Sequence, residues 1–374
     1  MAVRGDGVSS SSERVAKATI AEWSKQVSEE TKRNLILVAM LEKKGQISYG
    51  HSGGQHRWVV RKAEFGLNGF PDLVPTQVTR LDTKLNAYLP RRGYYVSEAI
   101  SLREKLEQGG PEAMIKIFDG REKLMREGVI RSLASEFYVD GESAAGIAGE
   151  KFHGIESLMG ITAGSQVSTD LLATVLAGTY AAISTVYGSA AGSVASTHPM
   201  YRMWSPIIVN TLYNPGSGVQ AWADFAIDYI RAMLIRSTIG QGPDDRIDLV
   251  TLTRDAYENL LNLMDDKERI LVNRGSGEEL VSLGFRNIVE IDGCPVTWDL
   301  AVPATDADSK TVRGYGWTTS QIELQVLGEK KGKDLFTSRL DWNGSYAADV
   351  IFMWLLGNLK FTSPRRFGKL VGIA

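Results

Sequence analysis

The sequence predicts an α+β chain, on three observations. From Pro111 to Phe137 the apolar residues Met114, Ile117, Phe118, Met125, Val129, Leu133 and Phe137 recur at helical spacing. From Thr76 to Leu89 the pattern alternates instead, with Leu81, Leu85, Ala87 and Leu89 on one face and Arg80, Asp82, Lys84 and Asn86 on the other. Between Ala221 and Met264 a helix, a short apolar strand and a second helix follow in close order.

The chain opens on Ser9 to Ser12, a polar lead-in that offers a helix cap. Glu13 to Val27 is moderately helical, with Val15, Ile20, Trp23 and Val27 unevenly spaced. Ser28 to Lys43 is a better helix. Glu29 and Glu30 sit in its first turn and Lys43-Lys44 at its end, matching the helix dipole, and Gly45 stops it. Its apolar face (Leu35, Val38, Leu41) is thin, which predicts an N-terminal arm packed on its own body or on a neighbouring subunit.

His56 to Glu64 reads as a strand and Gly66 to Pro71 as a loop. With the alternating run that follows, they make an extended two-stranded arm too thin to own a core. From Gln46 to Tyr95 there are seven basic residues (Arg57, Arg61, Lys62, Arg80, Lys84, Arg91, Arg92) against three acids (Glu64, Asp72, Asp82). Such an arm needs a partner surface; an ordinary hairpin lying on its own domain is the other reading.

Gln108-Gly109-Gly110 breaks the chain, and Pro111 suits the first turn of the helix that follows. At ~1.5 Å per residue, Pro111 to Phe137 makes a rod of roughly 40 Å. Asp119, Arg121, Glu122, Lys123, Arg126 and Glu127 form its charged stripe. Gly120 and Gly128 each weaken it by about 1 kcal/mol relative to Ala, so contacts outside the helix must hold it straight. Val139-Asp140-Gly141 is a turn, and Gly154-Ile155-Glu156-Ser157-Leu158 returns onto the rod.

Gly160 to Val209 is rich in small residues, with a helix expected at Thr169 to Leu176 and a loop at Gly188 to His198. Ala221 to Arg236 is amphipathic, with Trp222, Phe225, Tyr229 and Met233 on one stripe. Ile247 to Leu252 is a short buried strand, and Thr253 caps the helix Arg254 to Met264. Phe285 to Val289, Cys294 to Trp298 and Gln321 to Leu327 are further strands, with a polar excursion at Asp306 to Arg313. Ala347 to Leu359 is a long apolar strand-like run, and Phe367 to Ile373 closes the chain.

Composition narrows the function. The 374 residues leave room for two or three domains. A net charge of -2 excludes a chain built to grip nucleic acid by bulk charge. One cysteine, Cys294, excludes an internal disulfide and a cysteine-rich zinc site. Met1 to Ser12 lacks the apolar core of a signal peptide, and no run approaches the ~18 apolar residues of a membrane span. No membrane partner is expected.

Catalytic patterns are scarce. There is no phosphate-binding G-x-x-x-x-G-K-[ST] loop and no Gly-x-Ser-x-Gly elbow. Of the four histidines (His51, His56, His153, His198), His51 and His56 lie on a glycine-rich segment without flanking acids and read as solvated loop residues. Asp244-Asp245 and Asp265-Asp266 sit at element edges, where carboxylates cap or solvate. Asp306 and Asp308 lack the glycine and glutamate of a calcium loop, and Cys294 reads as a small core residue. No catalytic, cofactor or metal residue is assigned, and the chain reads as a subunit of an assembly rather than an enzyme.

The order of elements resembles the major capsid proteins of tailed bacteriophages, a fold shared with encapsulin-type nanocompartment shells. The turn Asp140-Gly141 ahead of Gly154 to Leu158 is similar to that family's aspartate-glycine turn and glycine-apolar docking pair. Pro243 to Met264, with Tyr257 early in the helix, resembles the strand and helix of its axial domain. Gly178-Thr179-Tyr180-Ala181-Ala182-Ile183 with Trp204, and Leu356-Gly357-Asn358-Leu359 with Pro364 to Gly368, are similar to segments of one branch.

The resemblance implies an N-terminal arm (1–45), an extended β-hairpin loop (46–100) and a peripheral domain with a spine helix (101–158). A mixed α/β axial domain (159–335) follows, then a return strand and C-terminal tail (336–374). It implies self-association into hexamers and pentamers of an icosahedral capsid enclosing double-stranded DNA without sequence-specific contacts. Assembly would take place in the host cytoplasm, with the virion as destination and scaffolding, portal and decoration proteins as further partners. Arg61, Lys62, Arg80, Lys84, Arg91 and Arg92 on the loop, Glu122 and Glu127 on the spine, and Trp23 on the arm are the inter-subunit contact candidates. Some members join subunits by a lysine–asparagine bond; Lys62 and Lys84 sit on the right kind of arm, but no matching catalytic glutamate can be placed. A nanocompartment shell protein is the alternative, and, from a different class, a cytoplasmic α+β enzyme using carboxylates such as Asp244 and Asp265.

Overall fold

The computed structural model describes residues 35–49, 53–61, 84–101, 103, 111–141, 151–159, 172–173, 179–185, 204–212, 221–238, 246–266, 288–306, 309–327, 335–343 and 348–372. The helix expected at Glu13 to Val27, the loops at Gly66 to Pro71 and Gly188 to His198, and Asp244-Asp245 lie outside them.

The first described element is helix α1 (Ile36–Lys43). Gly45 ends it at φ +67, which glycine adopts without strain. The amide of Gln46 reaches Leu41 O at 2.7 Å and that of Gly45 reaches Glu42 O at 2.9 Å, a Schellman cap. The thin apolar face read from the sequence is corrected here: Leu37, Val38, Ala39, Met40 and Leu41 are all buried. The body covers this helix on several sides, so one stripe understates its burial.

Strand β1 (Ile47–Tyr49) follows, then β2 (Gln55–Arg61), β3 (Lys84–Pro90) and β4 (Arg92–Ser101). Of these four, β2 and β3 pair in a two-stranded sheet, antiparallel with Trp58 opposite Ala87. The alternation read from sequence holds over its described part: Ala87 and Leu89 are buried, Lys84 and Asn86 exposed. β1 and β4 join a five-stranded sheet with β13 (Ile322–Val326), β14 (Thr337–Asn343) and β15 (Ala348–Phe361). The 14-residue β15 is its axis. It pairs with β4 from Ala348 to Gly357, with β14 from Ala348 to Trp354, and with β13 from Gly357 to Phe361. Gly357 allows this, because a Cβ there would collide with the carbonyl of Gln325.

The rod is present as α2 (Pro111–Glu136), 26 residues long. Val129, Leu133 and Phe137 bury its inner stripe. The chain then returns as a 3₁₀ turn (Ile155–Leu158), and the Ile155 amide donates to Phe137 O at 2.9 Å.

A seven-stranded sheet receives this return. Its order is β10 (Val289–Ile291), β11 (Cys294–Trp298), β9 (Leu249–Leu252), β12 (Thr311–Trp317), β16 (Gly368–Gly372), β8 (Ile207–Asn210) and β5 (Leu172–Ala173). Helices α3 (Trp222–Ser237) and α4 (Arg254–Asp266) cover one face. Ile207, Val209, Val250, Leu252 and Leu370 point toward them, while Ile208, Leu249 and Val371 join the core on the other face. Both faces are buried, so these strands read as continuous apolar runs.

Two expectations fail here. Leu172–Ala173, read within a helix, is an edge strand antiparallel to β8; pairing with Ile208 and Val209 overrides the helical composition. The polar excursion at Asp306 to Arg313 contains the start of β12, a central strand. Gly314 and Gly316 hid it by their low strand propensity. They are required there, because a Cβ at Gly314 would meet the Thr251 carbonyl, and one at Gly316 would meet Ile247 at 2.6 Å and Met233 at 2.9 Å. The last small sheet, β6 (Thr179–Tyr180) with β7 (Ile183–Ser184), is a two-residue hairpin. Its turn residues Ala181 and Ala182 sit at φ 53 and 63. Its Tyr180 is buried, and its hydroxyl accepts from the Phe361 amide at 2.8 Å and donates to Leu359 O at 3.3 Å.

Two measurements follow from this packing. A Cβ on Gly154 would lie 2.5 Å from Val139 O and 2.6 Å from Phe137 O, whereas one on Gly128 meets nothing within 4 Å. Gly154→Ala should lower stability by about 2–4 kcal/mol, and Gly128→Ala should raise it by about 0.5–1 kcal/mol, in urea denaturation of the unassembled chain. In the five-stranded sheet, Glu323 accepts from Ser48 at 2.6 Å and from Lys360 at 2.8 Å. Burial alone would raise its pKa, but these hydrogen bonds win and hold it at about 2, against an ordinary 4.5. A lowered carboxylate contributes stability above its unfolded pKa and loses it as pH falls through the folded one. Denaturation midpoints should therefore fall between pH 4.5 and about 2, and Glu323→Gln should flatten that window by about 1–3 kcal/mol.

Candidate subunit-contact surface and a buried charge cluster

The two-stranded sheet has an inner and an outer face. Inside, His56, Val60, Ala87 and Leu89 are buried, and the Tyr88 amide donates to Ala181 O at 3.2 Å. His56 is thus a strand residue facing the body, not the solvated loop residue read from the sequence. Outside, Val59 is 59% exposed and Tyr88 45%. Lys84 is exposed on the same hairpin, opposite Arg61 in register. Arg91 and Arg92 are half-buried where β3 passes into β4. Trp23, Lys62 and Arg80 lie outside the described residues, and Arg61 and Glu122 are described only in their backbone.

Glu127 is exposed on α2. The rod's charges are partly engaged within the same chain: Arg121 pairs with Glu98 of β4 at 2.5 Å and donates to Ala99 O at 3.0 Å. Tyr94 donates to Glu136 at 2.6 Å and accepts from the Phe152 amide at 2.7 Å. Between α2 and β4 runs a cavity of about 400 Å³, lined by Tyr95, Met125, Val129, Leu133, Phe336 and Met353 among others. Tyr95 at its mouth is 73% exposed, and Leu124 on the same helix is 72% exposed.

Below this surface the return segment meets the seven-stranded sheet through charge. Lys369 of β16 is fully buried. Its Nζ lies 2.7 Å from Glu156 Oε1, 2.9 Å from Glu156 Oε2 and 2.9 Å from Asp306 Oδ2. The Tyr315 hydroxyl, from the position opposite Lys369 on β12, donates to Glu156 Oε1 in a short hydrogen bond. Asp306 is held by its own turn, its Oδ1 accepting from the Lys310 amide at 2.8 Å. Beside it Tyr138, at the end of the rod, donates to Asp299 at 2.8 Å, and its ring lies tilted at 40° against that of Tyr315, centroids 5.4 Å apart. Burial raises the Glu156 carboxyl above its ordinary value, with Lys369 opposing, and pushes both tyrosines well above 10. One lysine amine thus meets two carboxyl groups.

Sequence reading missed this cluster. In the sequence Glu156 stands in a docking motif and Asp306 in a polar loop, and nothing local joins either to Lys369. The available signal was a lone lysine inside the apolar closing run Phe367 to Ile373. Cys294 is buried on β11, where burial pushes its thiol up. Asp265 lies in the last turn of α4. Among the described residues, no group of three or more His, Cys, Asp or Glu is arranged to hold a metal ion, and no helix is long and apolar enough to cross a membrane.

No family model and no curated protein matches the chain. Solved structures do. The cyanophage A-1(L) capsid asymmetric unit is similar at a TM-score of 0.55 and 15% identity, over 88% of this chain and 90% of that one. The capsid of the native GTA particle is similar at 0.52 and 9% identity, over 90% and 91%, and that of the empty GTA particle at 0.52 and 10%, over 90% of each. Mixed helices and several sheets, in an order shared over about nine-tenths of the chain, give this protein the phage capsid fold.

Proposed function

We propose that the chain is a structural, non-catalytic subunit that self-assembles into the hexamers and pentamers of an icosahedral viral capsid enclosing double-stranded DNA. The observation that carries this reading is the capsid fold, shared over nine-tenths of the chain with two kinds of particle. The surface agrees with it. The outer face of the β2–β3 hairpin exposes Val59 and Tyr88, the spine-helix cavity exposes Tyr95, and Leu124 is exposed on the same helix. These are apolar surfaces of the kind that a neighbouring subunit covers.

In this reading the domain division is the one the resemblance implies: arm 1–45, loop 46–100, peripheral domain 101–158, axial domain 159–335, and return strand with tail 336–374. The loop of one subunit lies over the spine of the next. Arg61, Lys62, Arg80, Lys84, Arg91 and Arg92 then face charges such as Glu122 and Glu127, with Trp23 contributing from the arm. Each exposed pair contributes only about 0–1 kcal/mol, so apolar area and repetition do most of the holding. A net charge of -2 suits a container that does not grip its DNA. Assembly takes place in the host cytoplasm and the product is the virion, with scaffolding, portal and decoration proteins as additional partners.

Expression of the chain alone, size-exclusion chromatography and negative-stain electron microscopy test the reading. Closed shells, tubes or free hexamers are expected. A monomer or dimer that persists at high concentration, with and without a scaffolding protein, overturns it, and a small shell loaded with protein cargo replaces it with a nanocompartment. The double variant Tyr95→Asp, Leu124→Asp should cut the assembled fraction at least about tenfold, because charge enters a desolvated contact, while leaving the circular dichroism of the free subunit unchanged.

A further inference from the structure

The Lys369 cluster has the parts of a bond-forming site. A lysine amine, an aspartate carboxyl and a glutamate are packed together away from water, with side-chain exposures of 0% for Lys369, 3% for Asp306 and 11% for Glu156. We propose that Lys369 and Asp306 join in an intramolecular amide bond, with Glu156 carrying the proton.

The nucleophile and electrophile are already in place. Lys369 sits on a strand paired on both sides, antiparallel to β12 and parallel to β8, which fixes its backbone. Asp306 is fixed by its own turn: its amide donates to Lys310 O at 3.0 Å, Ser309 N reaches its carbonyl at 3.1 Å, and Thr305 bridges to Thr311. With Nζ at 2.9 Å from Oδ2, the amine stands close to Asp306 Cγ, within the range where held groups react as if at very high local concentration. The Lys310 amide at 2.8 Å from Oδ1 points at the oxygen where negative charge develops on attack, which is an oxyanion donor. Glu156 touches the amine with both carboxylate oxygens and is held there by the Tyr315 hydroxyl.

The chemistry balances without any further reagent. A proton passes from the Lys369 ammonium to the Asp306 carboxylate, giving a neutral amine and a neutral acid at unchanged total charge. The amine adds to Cγ, forming the C–N bond and placing charge on Oδ1. Glu156 takes one proton from nitrogen and returns it to the leaving Oδ2 hydroxyl. The C–O bond breaks, water departs, and Glu156 is again a carboxylate. Asp306 rather than Glu156 is the acceptor carbonyl, because among the described residues a backbone amide meets the second oxygen of Asp306 and none meets Glu156.

The bond would tie the turn ahead of β12 to the last strand of the chain, across the sheet on which the rod's return segment rests. It rests on the fold alone and stands whether or not the subunit forms shells.

Intact mass spectrometry of the purified, denatured full-length chain tests it. The expected mass is lower than that of the sequence by one water. A tryptic digest should give a branched peptide joining Phe367–Ala374, uncut at Lys369, to Asn287–Lys310. Asp306→Ala and Glu156→Gln should restore the full mass and lose the branched peptide. A wild-type chain of full mass overturns the bond whatever the variants do. A branch ending on Glu156 overturns the choice of Asp306, and a fully bonded Glu156→Gln chain overturns the role of Glu156.

Discussion

The structure depends on one close approach, the docking of the return segment onto the end of the spine helix. Gly154 brings its backbone against the carbonyls of Phe137 and Val139, and Gly141 brings its own against Phe152. No side chain fits at either position. The approach lets Ile155 hydrogen-bond to Phe137 and lets Ser157 Oγ accept from the Gly141 amide at 3.0 Å. It delivers Ile155 and Leu158 into the core and Glu156 to Lys369. The long helix, which carries two glycines and a modest apolar stripe, is thereby anchored at its C-terminal end by contacts outside itself.

The two large sheets are made one body by the same kind of specific polar contact inside an apolar core. Lys44 after α1 pairs with Asp248 at 2.6 Å, and Asp248 also accepts from the amide and hydroxyl of Thr319, just ahead of β13. Asn358 on β15 accepts from the His153 amide at 3.0 Å and donates to Pro90 O at 2.8 Å, so the return segment, the hairpin and the central strand meet at one fully buried amide. Buried charges such as Lys369 gain little net stability over an apolar core of the same shape. Their effect is to fix register: each has partners at one place only, and a slipped strand would leave it unpaired.

This division of polar and apolar groups bears on assembly. Charges of the spine's stripe are partly engaged within the chain, as with Arg121 on Glu98. Beside exposed charges such as Lys84 and Glu127, the outer surface presents apolar groups: Tyr95 and Leu124 beside the spine, Val59 and Tyr88 on the hairpin. Apolar area is non-directional and accumulates with repetition, whereas exposed ion pairs are weak and screened by salt. In the shell proposed above, many copies of a near-neutral subunit gain more from the former.

The sequence by itself determined the elements whose signals are local. The helical period fixed α2, with Pro111 at its start, and Gly45 fixed the end of α1. The alternation fixed the inner face of β3. The apolar runs at Cys294 and Ala347 marked β11 and β15, and Thr253 marked the start of α4. The order of these elements was enough to read the capsid fold. Tertiary structure decided whatever rests on a partner distant in the chain. β12 is a strand because Thr251 and Met233 leave room only for Gly314 and Gly316, which locally disfavour one. Leu172–Ala173 is an edge strand because β8 lies beside it. Lys369, Glu156 and Asp306 form a cluster although long stretches of chain separate them, and even the lone lysine of the apolar closing run does not reveal its partners. Periodicity reports which face of an element is buried; only the packed fold decides what that face meets.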